Sequence, residues 1–257
     1  MFFQVLGSSS SGNCSYLECD GVKAFIDAGL GIKRIRKYLA GRGLDIEDID
    51  AVFVTHEHFD HYASLCYFAA AGTKIYANRG TAECIRYKDS KTKNANWQIF
   101  ETGQKFDFYG IDVLPFTIPH DTTDPVGYSF THQESALTYA TDIGKVTNSV
   151  QDFARNCSVL VLESNYCPLM LARSNRPPRL KNRISSTSGH LSNADAISLL
   201  KALPPVVKKV YLTHVSRECN SVSHIAELLG KSGIDSEMLR RIEIVSPFDA
   251  PSSPVEF

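Results

Sequence analysis

Short apolar or alternating stretches recur along the chain, and most of them stop at a polar residue. Residues 2–6, 14–18 and 22–26 alternate in the manner of half-buried strands, and 51–54, 74–77, 136–141, 210–213 and 241–245 are compact β-compatible runs. Residues 97–100, 105–108 and 111–118 alternate in turn and predict a meander of strands. Helical periodicity is expected over 33–42, 63–71, 81–87, 194–202 and 221–231, with Ser192 or Asn193 as the N-cap of the fourth. The Gly/Ser run at 7–13 is a turn between strands whose hydroxyls and N–H groups could line an anion site. Residues 251–257 read as a tail.

The residues that close these strands are chemically pointed. The run at 51–54 leads directly into Thr55-His56-Glu57-His58-Phe59-Asp60-His61. His56 and His58, two apart in extended chain, project to one side, and Asp60 and His61 come from the turn beyond. Three imidazoles and a carboxylate in six residues are costly to bury unless something binds them. Zn²⁺ accepts both donor types. Later strands end in the same way: 113–119 at His120, 136–141 at Asp142 and 210–213 at His214. Ligand sites gather at strand ends in α/β folds, so these residues should converge. Asp27, closing the third strand, suits either orienting a ligand histidine or capping the next turn.

Composition narrows the setting. With a net charge of −1, no global field draws the protein to nucleic acid or membrane, so any attraction is local. No apolar run reaches the ~18 residues of a membrane span, and the start lacks a basic, apolar secretion signal. Seven cysteines are scattered without a C-x-x-C pair, as expected of reduced thiols in a cytoplasmic protein. The local attraction has a candidate. No acidic residue occurs between Glu163 and Asp195, while Arg173, Arg176, Arg179, Lys181 and Arg183 crowd into eleven positions. An exposed loop is expected there, kept partly non-helical by Pro177-Pro178. His190 follows, just before a helix N-terminus, a region attractive to anions.

His56-x-His58-x-Asp60-His61, then His120, Asp142 and His214, resembles the metallo-β-lactamase-fold hydrolases over nearly the whole chain. The resemblance implies an α/β fold: one domain over 1–257, a four-layer αββα sandwich of two mixed β-sheets. It implies two divalent metal ions, Zn²⁺ or Mn²⁺. His56, His58 and His120 would hold one, Asp60, His61 and His214 the other, and Asp142 would bridge. A cysteine at the bridge would suggest a true β-lactamase, whereas Asp142 suggests a two-metal hydrolase. Two cations about 3.5 Å apart share a hydroxide at neutral pH and stabilise charge on a displaced oxygen. Asp60 would also orient that nucleophile. His190 resembles the non-ligand histidine that phosphodiesterases of this fold, such as ribonuclease Z, use to contact phosphate or protonate the leaving oxygen.

Residues 7–14, 25–29, 55–61, 141–144, 162–165, 189–193 and 212–216 together are similar to the bacterial YycJ/WalJ-like proteins. That implies a hydrolase of phosphodiester bonds, a 5′ exonuclease with DNA preferred to RNA as partner. Asp60 and His190 would be catalytic, and Arg179, Arg183, Ser192 and Asn193 would touch the substrate. The alternatives are a cyclic phosphodiesterase, a glyoxalase II-like hydrolase of a small acyl substrate, or a non-catalytic paralogue. The last would show lost ligands, and none is lost.

Overall fold

The computed structural model describes residues 1–247 and 251–257. Its strands, in chain order, are β1 (Phe2–Gly7), β2 (Cys14–Cys19), β3 (Val22–Ile26), β4 (Ala51–Phe53), β5 (Lys74–Asn78), β6 (Trp97–Phe100) and β7 (Phe106–Phe108). They continue as β8 (Ile111–Thr117), β9 (Val126–His132), β10 (Ser135–Ala140), β11 (Val159–Glu163), β12 (Lys209–Thr213), β13 (Ile242–Ile244) and β14 (Val255–Glu256). The helices are α1 (Ile32–Ala40), α2 (Phe59–Tyr62), α3 (Leu65–Ala70), α4 (Arg79–Lys88) and α5 (Asn148–Arg155). After them come α6 (Pro168–Arg173), α7 (Pro178–Ile184), α8 (Asn193–Leu200), α9 (Val222–Gly230) and α10 (Ser236–Arg241).

Strand period two sorts the apolar residues into layers. Phe3, Val5, Leu17, Ile26 and Phe53 face Val113, Tyr128, Phe130, Tyr139, Val161 and Tyr211 in a core between two sheets. The opposite faces pack on helices. Tyr16, Phe25, Val52 and Ile75 meet Ile35, Leu39, Phe68 and Ile85 on one side. Leu160, Leu162, Val210 and Leu212 meet Val150, Ala154, Leu199 and Ile225 on the other. This is the expected αββα sandwich. Among the described residues each sheet has seven strands, in the orders β14-β1-β2-β3-β4-β5-β6 and β13-β12-β11-β10-β9-β8-β7. Both are mixed. Neighbours β3, β4 and β5 run parallel in one, and β10, β11 and β12 in the other.

Four expectations are corrected. The stretches over 97–118 do not form one meander: β6 pairs parallel with β5, and β7 opens the second sheet. Helix 63–71 begins earlier and breaks, because α2 starts at Phe59 and Ser64 turns its hydroxyl to the Leu30 carbonyl before α3. The basic segment is mostly helical, with Pro178 in the first turn of α7, where its missing N–H has no helical partner to lose. Residues 251–257 are not a tail. Ser252 and β14 hold the free edge of β1. Strands β9 and β11 and helices α5 and α10 have no counterpart among the elements expected from the sequence.

The Ser252 hydroxyl accepts the buried Val5 N–H at 3.0 Å, while the Ser252 N–H donates to the Val5 carbonyl at 2.9 Å. Ser252→Ala leaves the Val5 donor without that acceptor, a loss of about 1–3 kcal/mol. Thermal unfolding should show a Tm lower by roughly 2–10 °C. An unchanged Tm would mean that the Ser252 hydroxyl contributes nothing to holding β1.

Candidate metal centre

Six strand ends deliver side chains to one edge of the sandwich. β3 ends at Asp27, β4 leads to His56, β8 to His120, β10 to Asp142, β11 closes on Glu163, and β12 ends at His214. Asp27, Asp142 and His214 take left-handed backbone, with φ of 60°, 56° and 54°. For residues with a Cβ this is uncommon and costs of order 1 kcal/mol each, strain that functional sites tolerate. Between the halves, α2 carries Asp60 and His61. Its backbone is docked on the loops after β1 and β3: Asn13 N–H donates to the Asp60 carbonyl and Ala28 N–H to that of His61, both at 2.8 Å. A Cβ on Gly29 would stand 1.6 Å from the Asp60 carbonyl oxygen, so only glycine allows this approach.

Most of these histidines commit one nitrogen outward and turn the other to the centre. His61 Nδ1 lies 2.7 Å from the buried Asp27 carboxylate, which also accepts the Thr55 N–H and hydroxyl. His120 Nδ1 donates to the Gly189 carbonyl at 3.0 Å. His214 Nδ1 lies 2.8 Å from Glu163 Oε1. On the inner side, His56 Nε2 is 3.0 Å and His120 Nε2 is 3.3 Å from His58 Nδ1, so three nitrogens point at one place. His61 Nε2 faces Asp142 Oδ2 at 3.3 Å and Asp60 Oδ2 at 3.6 Å, with His214 Nε2 3.8 Å from the latter. Asp142 sits between the two groups, 4.0 Å from His120 and 3.4 Å from His214 through Oδ1.

Charge in the cluster is unevenly compensated. Burial, then the neighbouring imidazoles, push His56 well below the ordinary histidine range and His58 down to about 4. Burial also lowers His120. These three are neutral rings with a lone pair to give. At His61 and His214 burial acts in the same direction, but the carboxylates of Asp27, Asp142 and Asp60, and of Asp142, Asp60 and Glu163, prevail and raise both. Conversely burial would raise Asp60 and Asp142, yet the histidines hold Asp60 at about 2 and Asp142 well below the usual range. The buried carboxylates therefore demand positive charge. Asp142 Oδ2 and His214 Nε2 are buried without a hydrogen-bond partner among the described residues. Imidazole nitrogen and carboxylate oxygen in this arrangement fit a divalent cation, which would displace the imidazole protons.

Glu163 is the side chain of this cluster that the sequence reading missed. Fully buried, it accepts from the Ile143 and Leu191 N–H groups through Oε2 and meets both His214 and His190 through Oε1. The signal was present, since Val159–Glu163 is another β-run ending in a ligand-type residue. His190 Nδ1 is 2.8 Å from Glu163, and its ring lies 5.2 Å from that of His214 and 5.5 Å from that of His120. A cavity of about 290 Å³ is lined by Ser10, His58, Phe59, Asp60, Asp142, Arg183, His190 and His214. Arg183 is held there by a two-pronged pair with Asp121 at 2.5 and 2.9 Å. Phe59, 70% exposed, forms its apolar rim.

The remaining substrate candidates lie elsewhere. Arg179 is exposed on α7 and does not line the cavity. Ser192 is buried as the N-cap of α8, accepting from the Asp195 N–H. Asn193 is buried between Ser164 and Asn220. In the 7–13 loop, Ser8 bonds Asn13 and the His214 N–H, so of its serines only Ser10 reaches the cavity.

The stretch from residue 24 to residue 215, which contains every strand end just described, matches the family model of the β-lactamase superfamily domain. The chain belongs to the β-lactamase superfamily. Within the superfamily, exodeoxyribonuclease WalJ of Streptococcus pneumoniae is 34% identical over 230 residues, 88% of this chain and 85% of that protein. Exodeoxyribonuclease YycJ of Bacillus anthracis is 31% identical over 239 residues, 90% of each. The solved metallo-β-lactamase fold protein YhfI from Bacillus subtilis matches with a TM-score of 0.75 at 16% identity, over 99% of both chains, a likeness of fold.

Asp27 reaches the centre directly at His61 and, through the Thr55 hydroxyl, at His56, so its charge should matter to metal affinity. Asp27→Asn keeps the shape and removes the carboxylate. Competition with a chromophoric chelator should show divalent-metal affinity reduced about 10- to 100-fold. Unaltered affinity would remove Asp27 from the account of the centre.

Proposed function

We propose that the chain is a dinuclear metal-dependent hydrolase of phosphodiester bonds, acting on DNA as a 5′ exonuclease from one domain over residues 1–257. In this reading His56, His58 and His120 hold one cation, Asp60, His61 and His214 the other, and Asp142 lies between them. Zn²⁺ and Mn²⁺ both suit these donors. Bound cations would supply Lewis acidity and a water acidic enough to be deprotonated at neutral pH. The protein would work in the cytoplasm, where its seven unpaired cysteines stay reduced. No helix among the described residues is long and apolar enough to cross a membrane.

The observation that carries the reading is the pairing of a fixed guanidinium with a carboxylate-anchored histidine at the mouth of the centre. Arg183 offers a planar donor fork suited to phosphate oxygens, and its pair with Asp121 keeps it in place. Glu163 takes the Nδ1 side of His190, which leaves Nε2 for the substrate. From there it can hold a phosphate oxygen or give a proton to the departing alkoxide, a role worth typically about 10²–10⁴-fold. Asp60 accepts from Asn13 Nδ2 at 3.2 Å and presents its carboxylate where an attacking oxygen needs orientation. Phe59 gives a nucleobase an apolar face on which to stack. The exodeoxyribonuclease names of the relatives at 34% and 31% identity support the same substrate.

End-labelled DNA, bis-p-nitrophenyl phosphate, a thioester and a β-lactam, compared on one preparation, test the proposal. Release of nucleotides from the 5′ end is expected. Faster turnover of the thioester or lactam than of any phosphodiester would overturn it. In the same assay His190→Ala should keep metal content and Tm near wild type while kcat on DNA falls at least about tenfold. Full activity in that variant, or loss of metal, would remove His190 from the chemistry.

A further inference from the structure

Far from the metal centre, two hairpin turns bring a second set of donors together. β2 begins beside Asn13, which bonds Asp60, and reaches Cys19 roughly 16 Å further on at ~3.3 Å per residue. Asp20 and Gly21, with φ of 49° and 82°, make the tight turn into β3. His132 ends β9, in the other sheet. The Cys19 sulfur, an Asp20 carboxylate oxygen and a His132 ring nitrogen all lie within 4.8 Å of one another.

His132 is prepared in a particular way. Its Nδ1 is 3.0 Å from the Gly110 carbonyl oxygen. A carbonyl can only accept, so Nδ1 carries a proton, and a ring with that one proton has a bare lone pair at Nε2. That nitrogen is buried and makes no hydrogen bond among the described residues, although Asp20 Oδ2 is only 3.1 Å away. A simple imidazolium–carboxylate pair would aim an Nε2–H at that oxygen, and this geometry is absent. A lone pair beside a carboxylate oxygen is a repulsive contact that a cation bound to both would relieve. Nδ1–H tied to a backbone carbonyl with Nε2 turned inward is also how metal-binding histidines are oriented.

We propose that Cys19, Asp20 and His132 form a second metal site, separate from the hydrolytic centre, which takes one Zn²⁺ with water as the fourth ligand. Sulfur, nitrogen and oxygen donors in a tetrahedral set suit zinc, and the thiolate disfavours Mg²⁺ and Ca²⁺. Binding releases the Cys19 proton to solvent, a proton that burial and then the Asp20 charge hold on the thiol, with the N-terminal amine opposing. Because Cys19 ends β2 of the first sheet, Asp20 follows in its turn and His132 ends β9 of the second, the ion pins the two sheets together at the end away from the chemistry.

Cobalt(II) titration of the intact protein separates this site from the hydrolytic one. The residues of the hydrolytic centre offer only nitrogen and oxygen, and Cys19 is the one cysteine in any metal-competent cluster among the described residues. A thiolate-to-cobalt charge-transfer band in the near ultraviolet therefore reports Cys19. Wild type should develop the band and saturate at about one equivalent of cobalt bound at this site. Cys19→Ala and His132→Gln should each abolish it, the second leaving the buried thiol untouched. Absence of the band in wild type at saturating cobalt, or its persistence in either variant, would overturn the proposal, whatever the hydrolytic activity.

Discussion

Asp27 and Glu163 lie behind the two halves of the centre, both wholly buried, and each grips histidine by its Nδ1. A carboxylate taken out of water is expensive unless it is paired and hydrogen-bonded. Here each has several partners: Thr55 N–H, Thr55 hydroxyl and His61 for Asp27; two backbone N–H groups, His190 and His214 for Glu163. These bonds do two things together. They set the tautomer and direction of the rings, and they add to a buried negative charge that protons or divalent cations must balance.

Backbone register places those carboxylates. Ile26 is paired with Phe53 across β3 and β4, so Asp27 comes level with Val54-Thr55 just before the histidine motif. Glu163 is paired with Thr213 across β11 and β12, one residue before His214. A slip of one residue in either pair would turn every side chain to the other face. The aromatic core prevents it, with Phe53 packed against Tyr76, Phe108 and Phe130 at 4.8–5.0 Å. Strained left-handed residues at Asp27, Asp142 and His214 can then be held, because the strands before them are rigid.

Much of this was legible in the sequence, because the donors stand at the ends of short apolar runs. His56, His58, Asp60, His61, His120, Asp142 and His214 come together where that pattern places them. Glu163 escaped because the run that it ends, 159–163, was not among the strands expected from the sequence. β14 escaped because two residues carry no periodicity, and only pairing with β1 reveals them. The strands over 97–118 looked alike one by one, yet β6 and β7 belong to different sheets, a partition that depends on distant partners. Ser192 and Asn193 sit in a motif near the chemistry, but capping and buried amide contacts use their side chains. Arg183 and Arg179 are one helical turn apart in α7, and only Arg183 reaches the cavity.

Anomalous X-ray diffraction from crystals of the purified protein, collected at the metal absorption edge, bears on the central claim most directly. The account predicts two peaks about 3.5–4 Å apart. One should touch His56, His58 and His120, the other Asp60, His61 and His214, with Asp142 reaching both. A single peak among these residues, or none, would contradict it.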